Sequence, residues 1–133
     1  MPKSFSHIIT AGPDDIDVNG HVNNAVWVQW IQDLAVAHWR SAASAEQDAR
    51  WGWVVTRHEI DYLRPAFEGD EVTGTTWVED AARGARFTRH MEFVGAGGRP
   101  CVRAVTTWAM IDRERGRPAR VPEDVVRLFV AEN

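Results

Sequence analysis

One long helical stripe followed by nothing but strand patterns is the feature that most restricts how this chain can fold. From Asn24 to about Ala43, Trp27, Trp30, Ile31, Leu34 and Ala35 recur at three- and four-residue spacing, which places them on one buried helix face. The only other helical signal is the terminal "VPEDVVRLFV", with Pro122 and two acids in its first turn. Everything else alternates. "FSHIIT" (Phe5–Thr10) reads as a short strand ahead of the helix. After "SAASAEQDARWG" come Val55–Leu63, closed by Pro65, and then Val72, Gly74, Thr76 and Val78 behind an "EGD" turn. Phe87, Arg89, Met91 and Phe93 alternate in the next strand. Val102, Ala104, Thr106, Trp108 and Met110 alternate in the last, after "GAGGRP" and before "RERGRP". This order predicts a single α+β domain over 1–133. Its five-stranded antiparallel sheet wraps one long helix, and a short helix ends the chain. One helix cannot cover both faces of such a sheet, so a partner subunit is expected to cover what remains.

Composition narrows the function classes. A chain of 133 residues can bury a core without disulfide or metal staples. No apolar run approaches the ~20 residues that span a bilayer, so no membrane role is expected. "MPKSFSHIIT" lacks the charged and apolar regions of a signal peptide, and Cys101 has no intrachain cysteine to pair with; a cytoplasmic setting is expected. Net charge is −4, which argues against nucleic acid as a partner. The charge is uneven, at −8 over residues 1–80 and +4 over 81–133. The basic second half can hold a small polyanion such as a phosphorylated cofactor, or simply form a solvated surface of mixed charge.

The polar loop "DIDVNGHVNN" (Asp15–Asn24) directly precedes the long helix. Asp15, Asp17, Asn19 and Gly20 imitate the first half of a calcium-binding EF-hand loop, but the twelfth position is Val26 instead of a bidentate Glu, and a strand precedes the loop. His21 is the loop's only histidine, so zinc spacing is missing and no metal is expected. Helix capping by Asn23 or Asn24 and a turn at Gly20 account for much of the loop. They do not require His21 or a carboxylate as far upstream as Asp17. The alternative is chemical. Free N–H groups at a helix start stabilise charge developing on a carbonyl oxygen, and a nearby carboxylate can attack or activate water. Thioesters suit such a site because a thiolate leaves without strong acid help. No Gly-x-Ser-x-Gly elbow is present.

"DIDVNGHVNNAVWVQWIQD", followed by "HEIDYLRPAFEGDEV", resembles the 4-hydroxybenzoyl-CoA thioesterase-like hotdog-fold acyl-CoA thioesterases. The first run is also similar to the "D-x-N-x-H-V-N-N" signature of plant-type acyl-ACP thioesterases. The resemblance runs from about Phe5 to Asp112. It implies a hotdog fold, a homodimer or dimer of dimers with active sites at the subunit interface, and hydrolysis of an acyl-CoA to free acid and CoA. CoA enters as part of the substrate, with no cofactor. Asp17 matches the acidic nucleophile or general base, and Asn24 the helix-start N–H that polarises the thioester. Asn19 and His21 match polar catalytic positions of the plant-type signature. Asn23 and Trp27 are candidate substrate contacts. Arg83, Arg86 and Arg89 in "ARGARFTRH" are candidates for the CoA phosphates, which guanidinium forks fit. A further plant-type acid aligns with Pro65, a departure that favours CoA over acyl carrier protein. Alternatives are an acyl-ACP thioesterase, a hotdog dehydratase or hydratase, and a non-catalytic acyl-CoA-binding module.

Overall fold

In the computed structural model, which describes residues 3–79 and 84–130, the helical stripe becomes α1 (Asn24–Ala42). Five long strands surround it: β1 (Phe5–Thr10), β2 (Trp51–Tyr62), β3 (Glu71–Val78), β4 (Arg86–Val94) and β5 (Pro100–Asp112). Their order across the sheet is β1-β3-β4-β5-β2, and every pairing is antiparallel. A two-residue β6 (Arg117–Pro118) pairs with β5, and α3 (Glu123–Phe129) follows. A curled antiparallel sheet around one long helix is the hotdog arrangement, as the sequence led us to expect.

Alternation explains the wrap. Val72, Gly74, Thr76 and Val78 of β3 point inward, as do Phe87, Arg89, Met91 and Phe93 of β4 and Val102, Ala104, Thr106, Trp108 and Met110 of β5. The facing side of α1 buries Trp27, Trp30, Ile31, Leu34, Ala35, His38 and Trp39. The core has two lobes. One packs Trp27, Trp30 and Leu34 against Val72, Met91 and Phe93; the other packs Trp39 against Phe87, Met110, Val125 and Phe129 of α3. Lys3 N–H donates to the Phe129 carbonyl at 2.8 Å, tying the start of the chain to α3.

Two elements differ from expectation. Ser44–Gln47 forms a reciprocal capping box, so part of the supposed turn is the short helix α2 (Ala45–Arg50). β2 then starts at Trp51 instead of Val55, with a register shift between Val55 and Arg57 that lets one strand bend around the core.

Gly74 is where helix and sheet approach most closely. A Cβ there would lie 2.8 Å from Phe93 Cε1 and 3.0 Å from Leu34 Cδ2. Gly74→Ala is therefore expected to cost about 1–3 kcal/mol, read as a lower denaturation midpoint.

Candidate active site

The loop ahead of α1 is a closed structure. Ile16 and Val22 form an isolated antiparallel bridge. Inside it, Asp17 N–H donates to the His21 carbonyl at 2.9 Å, and Gly20 N–H returns to the Asp17 carbonyl at 3.0 Å. Gly20 has φ +80°, the left-handed conformation glycine adopts without strain. The Asp17 carboxylate is itself positioned: its Oδ1 accepts the Asn19 N–H at 2.9 Å. Asn19 therefore acts on Asp17 through its backbone, while its own residue is exposed.

A second segment braces the loop. Val22 N–H donates to the Ala66 carbonyl at 2.9 Å, and the His21 ring packs edge-on against Phe67 with centroids 5.3 Å apart. Among the described residues no hydrogen bond joins the His21 ring to the Asp17 carboxylate. Ala11 and Gly69 close the same junction through Ala11 N–H to the Asp70 carbonyl at 3.0 Å and Gly69 N–H to the Ala11 carbonyl at 2.8 Å. Val18, Tyr62, Leu63 and Phe67 expose apolar surface around it.

The helix start supplies hydrogen-bond donors. Asn23 is the N-cap, and its Oδ1 accepts the Ala25 N–H at 2.9 Å. Asn24 is the first helical residue. Among the described residues, no acceptor engages the Asn24 N–H, and the Asn24 carbonyl receives the Tyr62 hydroxyl at 3.4 Å. An unpartnered N–H at the positive end of a 19-residue helix is a donor ready for an anionic oxygen.

The expected substrate contacts fare differently. Trp27 is 2 % exposed and wedged edge-on between Trp30 and Phe93, so it is a core residue of the subunit. The arginines do not form a cluster. Arg83 lies outside the described residues, and Arg86 is exposed at the start of β4. Arg89, three residues on, faces the opposite side of the strand and is only 6 % exposed. The expectation that Arg89 meets phosphates at the surface is thus corrected by strand alternation, which turns it into the core.

Inside, Arg89 Nη1 donates to His38 Nδ1 at 2.9 Å and to Thr76 Oγ1 at 3.0 Å. The guanidinium also lies 5.5 Å from the centre of the Phe129 ring. Burial pulls the guanidinium down to about 10, which leaves it charged at neutral pH. Desolvation, then the Arg89 charge, pull the His38 imidazole from 6.5 down to about 4. His38 therefore stays neutral in the fold, with Nδ1 as acceptor. Between pH 6.5 and 4 the unfolded chain binds a proton at this histidine that the folded chain does not. Its contribution to stability is full above that window and is lost as pH falls through it, on the order of 2 kcal/mol once partial hydration is allowed for. Urea titrations from pH 7 to 4 should show this loss, and His38→Asn should show a smaller one. His38 and Thr76 had no place in the sequence-based site, although His38 continues the buried stripe of α1.

Among the described residues no three His, Cys, Asp or Glu side chains gather as metal ligands.

Comparison with known proteins agrees with the fold. Over 78 residues, 59% of the chain, it is 29% identical to a chloroplastic acyl-acyl-carrier-protein hydrolase of Cuphea viscosissima, of which the match spans only 19%. Its fold is similar to that of the 1,4-dihydroxy-2-naphthoyl-CoA thioesterase Slr0204 from Synechocystis, with TM-score 0.81, 18% identity and 95% of each chain covered. It is equally similar in fold to a thioesterase from Thermus thermophilus solved with coenzyme A and zinc, with TM-score 0.81, 23% identity, 93% of this chain and 90% of that one. The family description "Thioesterase-like superfamily" matches residues 11–129, and the chain belongs to that superfamily.

Proposed function

We propose that the protein is a thioester hydrolase that converts an acyl-CoA to a free acid and CoA. The observation that carries this reading is the pairing of a positioned carboxylate, Asp17, with the unpartnered Asn24 N–H at the start of α1. In the proposed reaction the Asn24 N–H, strengthened by the helix dipole, binds the thioester oxygen as negative charge develops on it. Asp17 either takes a proton from the attacking water or attacks the carbonyl carbon itself, forming an anhydride that water then opens. The carbon–sulfur bond breaks, and the CoA thiolate leaves and takes up a proton. Asn19 holds Asp17 through its N–H, and His21 shapes the loop against Phe67.

CoA is favoured as the carrier because the Thermus relative was solved with it, and because the plant-type acid is replaced by Pro65. Arg86, exposed at the start of β4, is the described candidate for a phosphate contact. We also propose a homodimer. Among the described residues β2 has one unpaired edge along its 12 residues, and pairing two such edges would extend the sheet and bring a second subunit beside the site. A cytoplasmic setting completes the reading; no described helix is long and apolar enough to cross a membrane.

The test is thiol release across short, long and aromatic acyl-CoAs, with acyl carrier protein thioesters in parallel. Cleavage of at least one acyl-CoA is expected. Cleavage of carrier-protein thioesters alone would move the substrate to the second reading, which the plant relative supports. Water release from a 3-hydroxyacyl-CoA would indicate a dehydratase, and tight binding without release a sensor.

A further inference from the structure

A cavity of about 170 Å³ opens between the C-terminal half of α1 and strands β2, β4 and β5. Its walls are aromatic: Trp39, Trp53, Phe87, Trp108 and Phe129 line it, and Arg89 lies at its wall. A cavity of this size admits a single ring or a short alkyl chain.

The polar groups around it are unequally satisfied. Trp39 Nε1 donates to Asp48 Oδ1 at 2.9 Å, and Trp108 Nε1 to Thr106 Oγ1 at 2.8 Å. The third indole differs, because Trp53 Nε1 is buried and has no acceptor. Arg89 is also incompletely used. Its two hydrogen bonds both leave from Nη1, so Nε and Nη2 donate to nothing among the described residues. No carboxylate pairs with it there. A buried guanidinium is normally matched by an anion, since an uncompensated charge is costly to bury. The other charges lining the cavity are Arg40, Arg113 and Asp48, so its lining carries a net positive charge.

We propose that this cavity binds a small hydrophobic monocarboxylate, with its apolar part against the aromatic walls and its carboxylate on the free N–H groups of Arg89. A carboxylate is the anion that fits. It accepts two parallel bonds from a guanidinium fork and supplies the charge missing beside Arg89. The walls then favour an aromatic or short alkyl acid over a hydrophilic anion. The site is separate from the catalytic loop of the same subunit. Its α1 residues, Ala35 to Arg40, lie roughly 16–24 Å along the helix from Asn24 at ~1.5 Å per residue.

The experiment is a titration of the full-length protein, followed by tryptophan fluorescence, with benzoate, hexanoate and their neutral amides. Three tryptophans line the cavity, so occupancy should change the signal. At least one acid is expected to saturate at millimolar concentration, with its amide at least about tenfold weaker. Inorganic phosphate is expected not to compete. Arg89→Met should abolish the preference for acid over amide. Because that change also removes the partner of His38 and Thr76, the decisive comparison is acid against amide on the wild-type protein. Equal binding of the two, or no saturation by either acid, would overturn the proposal. Asp17→Asn should bind the acid with unchanged affinity; loss of binding there would place the ligand in the catalytic loop and also overturn it. Failure of thioester hydrolysis leaves these outcomes unaltered, so the two readings fail separately.

Discussion

Asn24→Pro should lower the turnover of acyl-CoA by about 100- to 1,000-fold while the protein stays folded. The substitution deletes one N–H and little else. Proline is well tolerated at the first position of a helix, where the N–H has no intrahelical acceptor. Asn24 occupies that position. A residue that precedes proline must be extended, and Asn23 already has φ −62° and ψ 140°. The cap survives, because Asn23 Oδ1 receives the N–H of Ala25 and not of Asn24. The Asn24 carbonyl, which takes the Tyr62 hydroxyl, survives too. Circular dichroism and thermal midpoint close to wild type, with turnover reduced and KM little changed, are the expected signature of a donor used mainly in the transition state. Asn24→Ala keeps the N–H and should retain most of the activity. A proline variant as active as wild type would remove the helix start from the reaction.

Asp17→Asn should be at least as damaging, about 10²- to 10⁴-fold in turnover. This replacement keeps the shape of the loop. The Asn19 N–H that donates to Asp17 Oδ1 finds a side-chain oxygen in asparagine as well. The backbone bonds from Asp17 N–H to His21 and from Gly20 N–H to Asp17 are untouched. Only the negative charge and the basicity disappear. Asp17→Ala, in contrast, also removes the acceptor of the Asn19 N–H and would confuse loss of chemistry with loss of the turn. His21→Ala has a different expected profile. Its ring contact is with Phe67, so the loss should include loosening of the loop against the 65–70 segment.

Much of the fold was legible because it is periodic. The α1 stripe and the alternation in β3, β4 and β5 each fix which side chains turn inward, and these faces define the wrap. The short helix α2 escaped because six residues give too little periodicity, although its Ser44 and Gln47 carried a readable capping signal. Within the site, Asp17, the cap at Asn23 and the helix start at Asn24 were legible as local features. The bracing of the loop by Ala66 and Phe67 was not, since those residues lie more than 40 positions away and only the closed sheet brings them near. Arg89 is the most instructive case. Its alternation with Phe87, Met91 and Phe93 already placed it inside, but its neighbours Arg83 and Arg86 suggested a phosphate clamp. Strand geometry overruled the apparent cluster, and burial turned the arginine into the partner of His38.

In the proposed reaction this loop and helix start hydrolyse a thioester through Asp17. The most direct measurement is the initial rate of thiol release at saturating acyl-CoA, for wild type and Asp17→Asn side by side, with matched circular dichroism spectra. Rapid release by the wild type that falls at least about 100-fold in the variant is the expected result. Equal rates in two folded proteins would contradict the claim and assign the carboxylate to the turn alone.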